Sequence, residues 1–79
     1  MTEPIYIHID AEKTGKNLDR LLKEKGIRKA QVGDVIGVNF QAVYKWIYGA
    51  CLPKVDNLIA LSLLLNESIE DILVWERVS

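Results

Sequence analysis

A mainly α-helical domain of five short helices is predicted for this chain of 79 residues, with short strands at its two ends. Two observations carry the prediction. Apolar residues recur at helical spacing in five segments, and Gly, Asn or Pro separates each segment from the next. The first residues behave differently: Ile5, Ile7 and Ile9 alternate with Tyr6, His8 and Asp10, the period of two that marks a half-buried strand.

The elements follow in order. Residues 4–10 form the first strand. In "TGKNLDRLLKEKG", Leu18, Leu21 and Leu22 lie on one side of a helix over roughly 15–25, with Thr14 available as its cap and Gly26 suited to the left-handed position after it. "RKAQVGDVIG" places Val32, Val35 and Ile36 on one side of a short second helix, which Gly37 ends. Asn39 caps a third, "FQAVYKWIYG", closed by Gly49. Pro53 blocks continuation, and Leu58, Leu61, Leu64 and Leu65 form a fourth helix whose wide apolar stripe implies contacts on more than one side. Ser68 followed by Asp71 opens a fifth, short helix in a capping-box pattern. The tail, about 74–78, favours a strand and can pair with 4–10, although an isolated two-stranded ribbon is marginal unless something covers it. No repeat or low-complexity tract divides the chain, so residues 1–79 make one domain.

The net charge of −1 hides an uneven distribution. Between Lys13 and Lys54 stand nine basic residues against Asp19, Glu24 and Asp34, a local net of +6, while residues 1–12 carry −3 and residues 55–79 carry −4. A basic middle between acidic ends suits one face that meets phosphate. Solvation of the first helix accounts well for Lys16 to Lys25 and less well for Arg28, Lys29, Lys45 and Lys54.

Several classes are disfavoured. No apolar run approaches the ~20 residues of a membrane span, and "MTEPIYIHID" lacks the regions of a secretion signal, so a cytoplasmic protein with no membrane partner is expected. One cysteine and one histidine make no metal-ligand set. Cys51 reads as a passive loop or core residue, and His8 lies on a polar strand face without a catalytic partner. No nucleophile and base, paired carboxylates or phosphate-binding glycine loop appears at useful spacing, so no enzyme, cofactor or small-molecule ligand is expected.

The chemistry lies between the second and third helices. With Lys29 as the first position, the fifth is Gly33, the ninth Gly37, the tenth Val38 and the fifteenth Val43. A small residue where two helices cross, a turn glycine and two branched residues filling the angle are the requirements of a helix-turn-helix. From about Asn17 to Leu73 the chain resembles the Cro and phage-repressor-like family of bacterial helix-turn-helix regulators, the xenobiotic-response-element type. "VYKWIYGACLP" is similar to that family's branched, polar, basic, Trp run ending in Gly and Pro, and "LIALSLLLNESIEDIL" to its closing helices. The chain departs from the pattern at Arg28 and Lys29, where the family often has Thr or Ser and then Gln, and at Ile47, where Glu is common. The resemblance implies a five-helix repressor-like DNA-binding domain over 11–73, to which the sequence pattern itself adds 4–10 and 74–78 as candidate terminal strands.

Periodicity buries Val43, Trp46 and Ile47 and turns Gln41, Tyr44, Lys45 and Tyr48 outward. The third helix, 40–48, can enter the major groove of double-stranded DNA with its N-terminus leading. Gln41 suits adenine, Lys45 guanine or phosphate, and Tyr44 a base or phosphate. Phe40 either meets a thymine methyl group or staples the helix start to the core. Lys16, Arg28, Lys29, Asn39, Tyr48 and Lys54 would hold the phosphates; Lys29, a point charge, suits that better than a base edge.

One such unit reads few base pairs, so a homodimer is expected. The resemblance places its contact around Ser68 to Trp75, and the strand edges can add to it. A sequence-specific transcriptional regulator, in expectation a repressor, is the leading reading. The competing one is a protein-binding helix-turn-helix, such as an antitoxin that autoregulates, for which an apolar face through Phe40, Tyr44 and Tyr48 would speak.

Overall fold

The computed structural model describes residues 2–78. In chain order it contains β1 (Ile7–Ile9), α1 (Ala11–Glu24), α2 (Lys29–Ile36), α3 (Phe40–Ile47), α4 (Val55–Leu65), α5 (Ile69–Ile72) and β2 (Trp75–Arg77). The five expected helices and both terminal strands are present.

The core draws on all five helices, with most of its residues from α1, α3 and α4. Leu18, Leu21, Leu22, Val32, Val43, Trp46, Ile47, Leu58, Leu61, Leu65 and Ile72 are buried together. Burying a side chain of this size contributes about 1.5–3 kcal/mol, which sets the orientation of every helix that supplies one. Leu64 packs against the edge of this cluster. Val55, Ile59 and Leu63, at i, i+4 and i+8, run along the outer side of α4 and stay exposed, so its apolar stripe does continue beyond the core.

Helix α1 begins earlier than its periodicity implies, and its cap is Asp10, not Thr14. The Asp10 carboxylate accepts the Lys13 amide at 2.8 Å, which satisfies an open N–H and places negative charge at the positive end of the helix. Thr14 is consumed elsewhere: it is buried, and its Oγ1 accepts the Val74 amide at 2.9 Å. Asn17 adds a second tie, donating to the carbonyls of Asp71 and Ile72 at 2.8 and 3.0 Å. Together these bonds hold the end of the chain against α1.

The terminal ribbon is antiparallel, with Ile7 opposite Arg77, His8 opposite Glu76 and Ile9 opposite Trp75. It is shorter than 4–10 and 74–78, although the Val78 amide to Tyr6 carbonyl bond at 2.9 Å extends it slightly. The expectation of half-burial fails: Ile5, Ile7 and Ile9 are all exposed, because no element among the described residues covers that face.

The helix-turn-helix is built from the positions its spacing requires. A Cβ at Gly33 would lie 2.8 Å from the Val38 carbonyl oxygen, so only hydrogen fits where α2 turns into α3. Gly37 adopts φ +74 and donates its amide to the Gly33 carbonyl at 2.9 Å, the left-handed helix end that costs other residues more. Val43 is fully buried and Val38 partly so. Val35 departs from expectation. It is 63% exposed, while Val32, Gly33 and Ile36 form the inner side of α2.

Candidate nucleic-acid interface

The outward side of α3 is the centre of the candidate site. Its inner side is anchored by Val43, Trp46 and Ile47. At the N-terminus the Asn39 side-chain oxygen accepts the Gln41 amide at 2.8 Å, leaving the Asn39 NH2 group as a donor at the helix tip. Behind it, the Gln31 side chain accepts the Arg28 amide at 2.8 Å and fixes the start of α2. The tips of both helices are thus locally ordered before any partner arrives.

The stripe expected on α3 divides into two flanks. On one, Phe40 meets Tyr44 edge to face, with ring centres 4.5 Å apart and planes at 80°. Tyr44 stacks on Tyr48 at 5.6 Å and 12°. Phe40 and Tyr44 of this three-ring ladder border a cleft against α1 and the start of α2, lined also by Ile27, Arg28 and Lys29. On the other flank, Gln41 and Lys45 line a groove with Asn39 and Lys54. Phe40 is 43% exposed and belongs to the ladder, so it is not a staple buried in the core. Tyr44 is only partly exposed between its two ring neighbours.

The charges separate just as clearly. The cations of α1 are largely paired along the helix: Lys16 with Glu12 at 3.7 Å, Lys23 with Asp19 at 3.0 Å and Arg20 with Glu24 at 2.7 Å. Lys25 faces Glu67 at 3.7 Å. Lys29 is also engaged. Its ammonium lies 3.4 Å from Asp19 and 5.7 Å from the centre of the Tyr44 ring. Asp19 is held below the usual carboxylate range by its hydrogen bond to Lys23 and by the nearby Lys29 charge, against an opposing push from partial burial. Among the described residues, Arg28, Lys45 and Lys54 have no acidic partner. All three lie on the borders of the α3 face.

The sequence-derived residues therefore converge. Phe40, Gln41, Tyr44 and Lys45 project from α3, with Asn39 and Tyr48 at its ends, Arg28 and Lys29 on one side and Lys54 on the other. Lys16 is the most peripheral, reaching the surface near Tyr48 and Lys29. Sequence reasoning grouped Phe40, Tyr44 and Tyr48 as one face but not as packed rings, and it missed the Asp19–Lys29 pair. The i, i+4, i+8 spacing of Phe40, Tyr44 and Tyr48 was a usable signal for the ladder, whereas the Asp19–Lys29 pair depends on how α1 and α2 are packed. Cys51 is exposed in the loop after α3.

Comparison with known proteins fits this geometry. A helix-turn-helix family model matches residues 18–72. Among solved structures, the restriction-modification controller protein C.AhdI of Aeromonas hydrophila superposes with a TM-score of 0.73 at 21% identity, over 80% of this chain and 96% of that one. A transcriptional regulator of Listeria innocua superposes with a TM-score of 0.70 at 28% identity, over 76% of this chain, which spans 56% of that protein's length. No curated protein sequence matches the chain. With the family model covering the second half of α1 and all of α2 to α5, the chain belongs to the Cro/C1-type helix-turn-helix family of DNA-binding regulators.

Proposed function

We propose that this protein is a cytoplasmic, non-catalytic transcriptional regulator that binds double-stranded DNA as a homodimer, with α3 in the major groove, and represses the promoter it occupies. The observation that carries this reading is the set of cations with no acidic partner among the described residues, Arg28, Lys45 and Lys54, around the exposed face of α3. An apolar ladder alone would suit a protein groove equally well. Flanking cations without intramolecular partners favour a polyanion, because each phosphate they meet releases condensed counterions. In this reading Gln41 and Lys45 read base edges, Phe40 and Tyr44 contact the groove beside them, and Arg28, Asn39, Tyr48 and Lys54 hold the backbone. Lys16 and Lys29 contribute as screened charges, since Glu12 and Asp19 already oppose them.

Selection from a random duplex library followed by salt titration tests it. If about three cations of each protomer meet phosphate, the dimer should show log K falling against log salt with a slope of about −5. A flat salt response with no enriched motif would reject DNA as the partner and favour a protein ligand for the same face.

The dimer contact is assigned to α5 and the terminal ribbon. Ile7, Ile9, Leu73 and Trp75 border one shallow apolar patch with Glu70 at its edge. Ile7, Ile9 and Trp75 are exposed in the single chain although they lie on one face of the ribbon. Ile7→Lys places charge in that patch without touching the core or the α3 face. Sedimentation should show a shift toward monomer with the circular dichroism spectrum unchanged; an unaltered dimer would move the contact elsewhere.

A further inference from the structure

The Phe40 ring is an unusual leading residue for a helix tip aimed at DNA, because it has neither a hydrogen-bond donor nor an acceptor. It is nevertheless 43% exposed and held in place. Tyr44 supports it edge to face at 4.5 Å, Tyr48 stacks under Tyr44 at 5.6 Å, and the Lys29 ammonium lies 5.7 Å from the Tyr44 ring centre. A ring ordered before binding loses little freedom when it makes a contact. Its position is fixed and its chemistry is apolar.

Among the groups that the four bases present in the major groove, one is an apolar projection: the C5-methyl of thymine. Cytosine carries hydrogen at the same ring position, and 5-methylcytosine carries the same methyl group as thymine. A hydrogen-bonding side chain distinguishes thymine from cytosine by the O4 acceptor or N4 donor. A phenyl ring distinguishes only whether the methyl is there.

We infer that Phe40, buttressed by Tyr44 and Tyr48, is a specificity residue for the C5-methyl group of a pyrimidine, so that binding responds to thymine against uracil and to 5-methylcytosine against cytosine. The inference rests on the DNA-binding reading above and adds to it a chemical class of contact and sensitivity to cytosine methylation. Gln41, on the neighbouring flank, supplies the complementary hydrogen-bonding readout.

The experiment uses the full chain and the duplex enriched from the random library. Each thymine is replaced in turn by deoxyuracil, and affinity is measured by fluorescence anisotropy at one salt concentration. One thymine in each half-site should weaken wild-type binding by about fourfold on losing its methyl, the factor expected for one buried methyl group. At that position a 5-methylcytosine duplex should bind about fourfold tighter than the corresponding cytosine duplex. In Phe40→Ala both differences should disappear, and in Phe40→Leu, which keeps an apolar contact, part of each should remain. If every deoxyuracil duplex binds the wild type equally while the selected sequence is still preferred over random DNA, the methyl contact is wrong and the DNA reading stands. Methyl dependence that survives in Phe40→Ala assigns it to another residue and overturns the role of Phe40. If no duplex is preferred over random sequence, both readings fall. The wild-type uracil series decides the first point even if Phe40→Ala fails to fold.

Discussion

Gly15→Ala is expected to unfold this domain at temperatures where the parent is fully native. The direction is opposite to that of an ordinary helical glycine, where the same change stabilises by about 1 kcal/mol through propensity. Gly15 lies on the buried side of α1. A Cβ there would meet the carbonyl oxygen of Ile47 and lie 2.5 Å from that of Trp46. Those are backbone atoms of α3, so no side chain can rotate aside; α1 must move away from α3. That movement opens the packing around Leu18, Leu22, Val43 and Trp46, all in the buried core. Overpacking of this kind costs about 3 kcal/mol at the upper end of its usual range. Less the roughly 1 kcal/mol gained in helix propensity, the net loss is about 2 kcal/mol; for a domain of this size each kcal/mol shifts Tm by about 4–8 °C, so a fall of roughly 8–16 °C is expected. Thermal melts followed by circular dichroism check this, with Lys13→Ala on the exposed side of α1 as a near-neutral reference. A Gly15→Ala protein melting at or above the parental temperature would mean that α1 and α3 are not in the contact described.

The same glycine shows where sequence reasoning stops. The inner faces of the helices could be read from Leu18, Leu21 and Leu22, from Val43, Trp46 and Ile47, and from the Asn39 cap and Gly37 turn, because each signal is contained within a few consecutive residues. Gly15 carries its meaning in a carbonyl some thirty residues away, and nothing in "TGKN" reports that distance. The choice between Asp10 and Thr14 as cap has the same origin. Both are good local caps, and the bond from the Val74 amide to Thr14 decides between them. The candidate site divides along the same line. The outward stripe followed from helical periodicity, and the i, i+4 pairs that quiet the charges of α1 were visible in the spacing of Glu12 and Lys16, Asp19 and Lys23, and Arg20 and Glu24. The capture of Lys29 by Asp19 needed the packing of α1 against α2, and it moves the best-placed free charges to Arg28, Lys45 and Lys54.

This redistribution sharpens the second large expected effect, the contrast between Gln41→Ala and Lys54→Ala in DNA binding. Gln41 stands in the first turn of α3, exposed, with its backbone amide already satisfied by Asn39. Its side-chain amide takes no part in a hydrogen bond among the described residues. It is therefore free to offer one donor and one acceptor to the N7 and N6 of adenine, a pairing that a point charge cannot imitate. Truncation should cost about 1–3 kcal/mol on the selected site and relax preference at one base pair of each half-site. Binding to random DNA should hardly change, since no phosphate contact is lost. Lys54, at the N-terminal end of α4 beside the same groove, should behave in the reverse way. Lys54→Ala should weaken all sequences alike and reduce the salt slope by about one for each protomer. Lys29→Ala is a poorer comparison, because removing it also leaves Asp19 with less compensation. Competition of the selected duplex against random DNA at two salt concentrations separates the two behaviours. Equal losses on both duplexes for Gln41→Ala would place Gln41 on the phosphate backbone and leave Lys45 and the ring ladder as the readers of sequence.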